Sequence, residues 1–286
     1  MILYGHFVED AQKEALEAGI KGRWVSVDLI GRPDYAAEVI HWCANPGTKF
    51  SLFIFLTEDR LFNKDGAWDN MRIAIQWLKE VKIHEQCELI QFDDEFWSRL
   101  PGLGHAGSPH SPFWPMFKNK TVHECWNSRF QLATEMAKRA NELRKMWTEV
   151  IGGECPRIGV AESGGVAPPQ FDGQEWWGLN IYHHPLYVSR SVVQDVYRQA
   201  WAFTSLPIMP VLPVFREKGA GPHSVWELAQ TYAAPFNINR VWYPAILDHP
   251  QTFAIGVFQV NHAGDGLTNL DASYKNALRF ISEIKA

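Results

Sequence analysis

Short apolar runs alternate with amphipathic stretches along the whole chain. The runs Ile2–Phe7, Trp24–Leu29, Lys49–Leu56, Glu88–Asp93, Arg157–Ala161, Gly178–Tyr182, Pro207–Val214 and Phe253–Val260 each predict a strand. Several are apolar at nearly every position, as strands are when helices cover a parallel sheet. Eight strands alternating with helices, with a helix closing the chain, is the count of an α/β fold of (β/α)8 TIM-barrel type.

The intervening stretches carry helix start signals. Thr121-Val-His-Glu124, Ser191-Val-Val-Gln194 and Ser224-Val-Trp-Glu227 each match a capping box, whose two side chains satisfy amide groups left open at a helix start. After the first box, Trp126, Phe130, Ala133, Ala137, Ala140 and Trp147 predict one continuous apolar face. A last helix begins near Asp271 and repeats Tyr274, Ala277, Leu278, Ile281 and Ile284 at helical spacing. Connections into strands are terse, as in Ala18–Gly22, Asn45-Pro46-Gly47, Gly152-Gly153 and Asp248-His249-Pro250. Connections out of strands are long, above all Ser98–Lys120. Barrel enzymes carry their chemistry on the loops that follow the strands, so the 98–120 loop marks the catalytic face. No repeat, low-complexity tract or charge run marks a linker, and one barrel domain over 1–286 is expected.

Composition narrows the function. Hydrophobic residues make up 46% of the 286 residues and charged residues 21%, enough for a large core and too apolar for disorder. A net charge of -5 argues against nucleic acid or an anionic membrane as the main partner. Cys43, Cys87, Cys125 and Cys155 are widely spaced without a Cys-x-x-Cys, so reduced thiols are expected rather than a disulfide framework or a zinc site. No basic segment followed by an apolar stretch opens the chain, and no run is long enough to span a bilayer. The expectation is a cytoplasmic protein, or a soluble one whose leader has been removed. The oligomeric state is not legible.

The chain holds 13 Trp. Trp114, Trp176, Trp177 and Trp242 stand beside Pro, Gly or Tyr in segments that read as loops, where exposed aromatic planes suit sugar rings. Trp114, with Trp176 or Trp177, is expected to line an open groove. On the fourth strand Ile90 and Phe92 are expected to face the helices, which turns Leu89, Gln91, Asp93 and Glu95 to the barrel axis. Asp93 and Glu95 then stack at the mouth, and two acids so close push one pKa toward a general-acid value. Asp94 lies beside them. On the fifth strand the alternation counted from Ile158 and Val160 is taken to turn Glu162 inward as a third acid. Asn180, Tyr182 and His184 share one face of the sixth strand, His6 follows the first, Asp28 ends the second, and Gln259 lies at the eighth. These complete the candidate binding residues.

Other chemistry is weakly signalled. The glycine pairs lack the spacing of a nucleotide-binding loop, and there is no P-loop or Gly-x-Ser-x-Gly elbow. His183-His184 with Glu95 and Glu162 offers a divalent-metal set of the sugar-isomerase kind. The preferred reading needs neither metal nor cofactor.

The fourth strand, Glu88-x-x-Gln91-x-Asp93-Asp94-Glu95, resembles the acidic motif of family 18 glycoside hydrolases, the chitinase-like barrels, at its last Asp and Glu. Tyr182 in Asn180-Ile-Tyr182 is similar to that family's inward Tyr on the sixth strand. The likeness extends to related N-acetylhexosaminidase clans. It implies a glycoside hydrolase acting on an oligo- or polysaccharide, with Glu95 protonating the leaving oxygen, Asp93 orienting an acetamido group and Tyr182 binding that group. The alternatives are a metal-dependent sugar isomerase or lyase, and a barrel that binds glycan without cleaving it.

Overall fold

The computed structural model describes residues 2–5, 12–17, 19–94, 121–163, 170–180, 198, 201–213 and 249–258. Eight strands close into a parallel barrel in sequence order: β1 (Ile2–Gly5), β2 (Gly22–Ser26), β3 (Lys49–Phe55), β4 (Cys87–Asp94), β5 (Arg157–Ser163), β6 (Trp176–Asn180), β7 (Ile208–Pro213) and β8 (Ala254–Phe258). Between them run α1 (Gln12–Glu17), α2 (Pro33–Cys43), the short α3 (Glu58–Leu61), α4 (Asp69–Glu80) and α5 (Val122–Val150). The fold is the (β/α)8 barrel that the alternation predicts. Contacts group the chain into two compact units, Met1–Trp24 with Gly178–Ala286, and Val25–Trp177.

In the unit Val25–Trp177, the helix-facing side of the sheet is a continuous apolar layer. Phe50, Leu52 and Ile54 of β3, Ile90 and Phe92 of β4, and Ile158 and Val160 of β5 pack there with Met71, Ile75 and Leu78 of α4. The predicted parity of β4 therefore holds: Leu89, Gln91 and Asp93 are buried outside that layer, on the axis side. The α5 face differs in detail from its prediction. Leu132, Ala133, Met136, Ala140, Leu143, Trp147 and Val150 are buried, whereas Phe130 is 56% exposed. At 100° per residue Phe130 lies about 80° round the helix from Ala140, at the far rim of the stripe. The Trp126 side chain lies outside the description.

The first capping box forms as predicted: Thr121 Oγ1 accepts from the Glu124 amide at 3.2 Å, and the Thr121 amide donates to Glu124 Oε2 at 2.7 Å. The boxes at Ser191 and Ser224, and the helix expected from Asp271, lie outside the described residues. The terse connection after α5 turns at Gly152, whose φ of 89° is a left-handed conformation that a side chain would strain.

Most strand boundaries shift by a residue or more, and two of the shifts bear on the candidate site. β2 ends at Ser26, and Val27–Leu29 forms a 3-10 turn rather than more strand. β6 begins two residues before the predicted Gly178, so Trp176 and Trp177 are strand residues and not loop residues. The cause is interior packing. The Trp176 indole occupies the space that a side chain at Gly159 of β5 would fill, and its N–H donates to the Arg157 carbonyl at 3.1 Å. In the other unit, Tyr4 uses the same device over Gly22, and Gly256 leaves room for Val211 and Trp24. Glycine beside a large ring lets a narrow barrel fill without voids.

Candidate active site

Parallel strands deliver their carboxyl ends to one face, and the described part of that face can be built strand by strand. β2 leads directly into the turn holding Asp28. β3 exits through Leu56 and Thr57 into α3, where Thr57 Oγ1 accepts from the Arg60 amide at 3.3 Å and caps the helix. The Leu56 amide donates to the Asp93 carbonyl at 3.2 Å, so this exit runs beside the end of β4. The register sets Asp93 level with Phe55 on one side and Ala161 on the other.

Asp93 is 9% exposed, on the axis side and engaged by neighbouring groups. Below it Gln91 is 3% exposed, and its Oε1 has no hydrogen-bond partner among the described residues. Glu162 sits level with Asp94 rather than with Asp93. Ile158 and Val160 belong to the helix-facing layer. The β5 residues on the Asp93 side are Gly159, whose space the Trp176 indole fills, and the small Ala161, level with the buried acid.

Asp28 is not an isolated acid. Arg60 Nη1 donates to Asp28 Oδ2 at 3.0 Å and to the Phe55 carbonyl at 2.9 Å, while Nη2 donates to Asp28 Oδ1. The Arg60 carbonyl in turn accepts from the Trp68 indole, whose ring meets Phe92 edge-on at 6.4 Å. Reading the sequence missed Arg60. The available signal was a cap residue, Thr57, directly after the third apolar run, with a fork-shaped donor in the first turn behind it.

Trp176 and Trp177 are 0% and 3% exposed, which removes both from the expected open groove. They read as loop residues because Gly and polar neighbours surround them, whereas Trp176 is buried over the glycine across the strand pair. Glu95, Trp114, Tyr182, His184, Trp242, His6 and Gln259 lie outside the described residues, as do the side chains of Asp94, Glu162 and Asn180. Among the described residues no three His, Cys, Asp or Glu side chains are placed to hold a metal ion. No helix among them is long and apolar enough to cross a membrane.

A hollow of 650 Å3 opens at the opposite, amino end of the same strands, lined by Lys49, His84, Glu88, Cys155, Arg157 and Glu175 among others. Its volume suits a small molecule; Glu175 in it is committed to structure, whereas the buried His84 Nδ1 has no hydrogen-bond partner among the described residues. Glu175 Oε2 accepts from the Ile158 amide at 2.9 Å and from Arg144 Nη2 at 3.0 Å. Burial raises the Cys87 thiol well above its ordinary value and pushes Cys155 up to about 12, so both are neutral. Among the described residues, Cys43, Cys87 and Cys155 are outside any disulfide.

No family model and no curated protein matches the chain. Solved structures do. A family 2 β-galacturonidase from Eisenbergiella tayi, bound to galacturonate, aligns with a TM-score of 0.57 at 10% identity over 98% of this chain and 50% of its own. A family 113 β-1,4-mannanase aligns with a TM-score of 0.55 at 10% identity, over 99% of this chain and 97% of its own. A family 18 chitinase from Pseudoalteromonas aurantia gives 0.51 at 10% identity, over 100% and 99%. The chain thus spans half the length of the galacturonidase and nearly all of the other two. Identities this low speak to the backbone, and on that ground the chain has the (β/α)8 barrel fold of these glycoside hydrolases.

Proposed function

We propose that this barrel is a glycoside hydrolase that cleaves an O-glycosidic bond of an oligo- or polysaccharide by carboxylate acid/base chemistry. The observation that carries the reading is Asp93, a buried acid on the axis side at the carboxyl end of β4, two positions before Glu95. Several solved barrels similar to this one are named as glycosidases, which supports a carbohydrate ligand at that face. In this reading 1–286 is one catalytic barrel, and Trp114 from the 98–120 loop stacks on the sugar.

Glycoside hydrolysis needs one carboxylic acid to protonate the leaving oxygen and a second group to attack or stabilise the oxocarbenium centre. Glu95 takes the first role. The second falls to Asp93, acting through the substrate's acetamido group with Tyr182 as its partner, or to Glu162. Carboxyl separation decides between mechanisms with a protein carboxylate: about 5–5.5 Å suits a nucleophile and about 6.5–9.5 Å a water-activating base.

The test is a screen of polysaccharides and aryl glycosides with the whole chain, before and after chelation. Glu95→Gln should lower kcat on natural substrate by about 10²–10⁴-fold, the usual worth of general acid catalysis. Activated aryl glycosides should escape much of that loss, because their leaving groups need little protonation. Full activity of Glu95→Gln on natural substrate overturns the assignment. Activity lost on chelation and restored by a divalent metal points instead to the isomerase-type chemistry.

A further inference from the structure

We infer that Asp28 and Arg60 form a neutral donor–acceptor pair that reads two adjacent hydroxyls of an uncharged sugar ring, an inference that rests on the glycan reading above. A guanidinium has five N–H donors in a fixed fork, and a carboxylate about four acceptor positions. Three Arg60 donors are engaged, two with Asp28 and one with the Phe55 carbonyl. Among the described residues nothing takes the remaining two, and each Asp28 oxygen accepts one bond, from Arg60 alone. The pair therefore holds both donors and acceptors in reserve. Neither side chain is sealed off, with Arg60 18% and Asp28 38% exposed.

Position and rigidity give that reserve a use. Asp28 follows β2 and Arg60 follows β3, both at the carboxyl ends, and the β3 exit is bonded to Asp93 through Leu56. The Phe55 carbonyl and the Thr57 cap fix Arg60 at its head and at its backbone. A donor already held this way loses little freedom on meeting a ligand. Each sugar hydroxyl both donates and accepts, so one hydroxyl can donate to Asp28 while its neighbour accepts from Arg60. The charges of the pair cancel. A uronate or phosphate would gain no net cation there and would meet the Asp28 carboxylate, so the pair selects uncharged rings.

Isothermal titration of the whole chain with cellobiose, β-1,4-mannobiose and N,N′-diacetylchitobiose identifies the tightest neutral probe, and digalacturonate serves as the acidic one. Arg60→Lys keeps a cation opposite Asp28 but removes the fork, and Asp28→Asn keeps the volume but removes an acceptor. Each should weaken the neutral probe by about tenfold or more, with melting temperature held close to wild type. On wild type alone, digalacturonate should bind more weakly than the neutral probe. Unchanged dissociation constants with lowered melting temperatures would make the pair a structural tie and overturn the inference. Tighter binding of digalacturonate overturns its selectivity. If wild type binds a neutral probe and the variants do too, only this inference falls. If wild type binds none, the glycan reading falls with it.

Discussion

The two ends of the strands in the Val25–Trp177 unit hold similar residue types and use them differently. At the amino end, carboxylate, guanidinium and thiol groups surround a hollow, but Glu175 is taken by Ile158 and Arg144, and the thiols are held neutral by burial. At the carboxyl end, Asp28 and Arg60 satisfy each other and still keep bonding capacity, beside the exit that joins Asp93. A hollow lined with ionisable groups is therefore not a site by that fact. What matters is the hydrogen-bonding capacity left after the fold has been closed.

If that contrast is right, changes at the amino end should act on stability and leave chemistry alone. Trp176→Ala should show the largest effect. The indole is fully buried and fills the room left by Gly159, so its removal should cost about 3–5 kcal/mol. Urea unfolding gives the cost, and activity per folded molecule should stay at the wild-type level. A stable but inactive Trp176→Ala would break the comparison. Gly159→Ala sharpens it from the other side, because the new methyl overlaps the indole and should cost about 1–3 kcal/mol. Combined with Trp176→Ala it should cost less but not nothing, since the ring is gone while the overlap with the carbonyl of residue 176 remains.

What could be read from the sequence divides along the same physical line. The helix-facing side was legible because its periodicity is repetitive: Ile90 and Phe92 announce the parity of β4, and Gln91 and Asp93 follow from it. The barrel and its order were legible for the same reason. Trp176 was not, because its place depends on a glycine in a different strand, a pairing with no local trace. Arg60 was missed because a lone basic residue in a first helical turn is common, and only the bond to Asp28 across 32 positions gives it a role.

A third change probes the carboxyl end without touching the proposed chemistry. Thr121→Ala removes the Oγ1 half of the capping box at the start of α5 and leaves the backbone amide that donates to Glu124. Such caps are typically worth about 1 kcal/mol, within about 0.5–2. Melting temperature should fall by a few degrees at most, and Arg60-dependent sugar affinity should not move. A larger loss would mean that the α5 start is tied to the site by more than its cap.

The smallest effect is a pH dependence confined to the amino end. Cys155 is raised by burial from 9.0 to about 12, and Cys87 moves the same way. A thiol is neutral when protonated, so burial favours the protonated form in the folded chain. Below 9.0 both folded and unfolded thiols keep their protons, and the group contributes nothing to the slope. As pH rises above 9.0 the unfolded chain releases the proton while the folded chain keeps it up to about 12. Stability must then fall with rising pH across that window, because the unfolded state binds fewer protons. Other groups titrate there as well, so the informative quantity is a difference between variants. Cys155→Ala should lose less melting temperature than wild type on going upward from pH 9.0, whereas Thr121→Ala, at the other end, should follow the wild-type slope. Equal slopes for all three proteins would show that the Cys155 thiol is open to water. The amino-end hollow would then have an uncommitted thiol as well, and the contrast between the two ends would be lost.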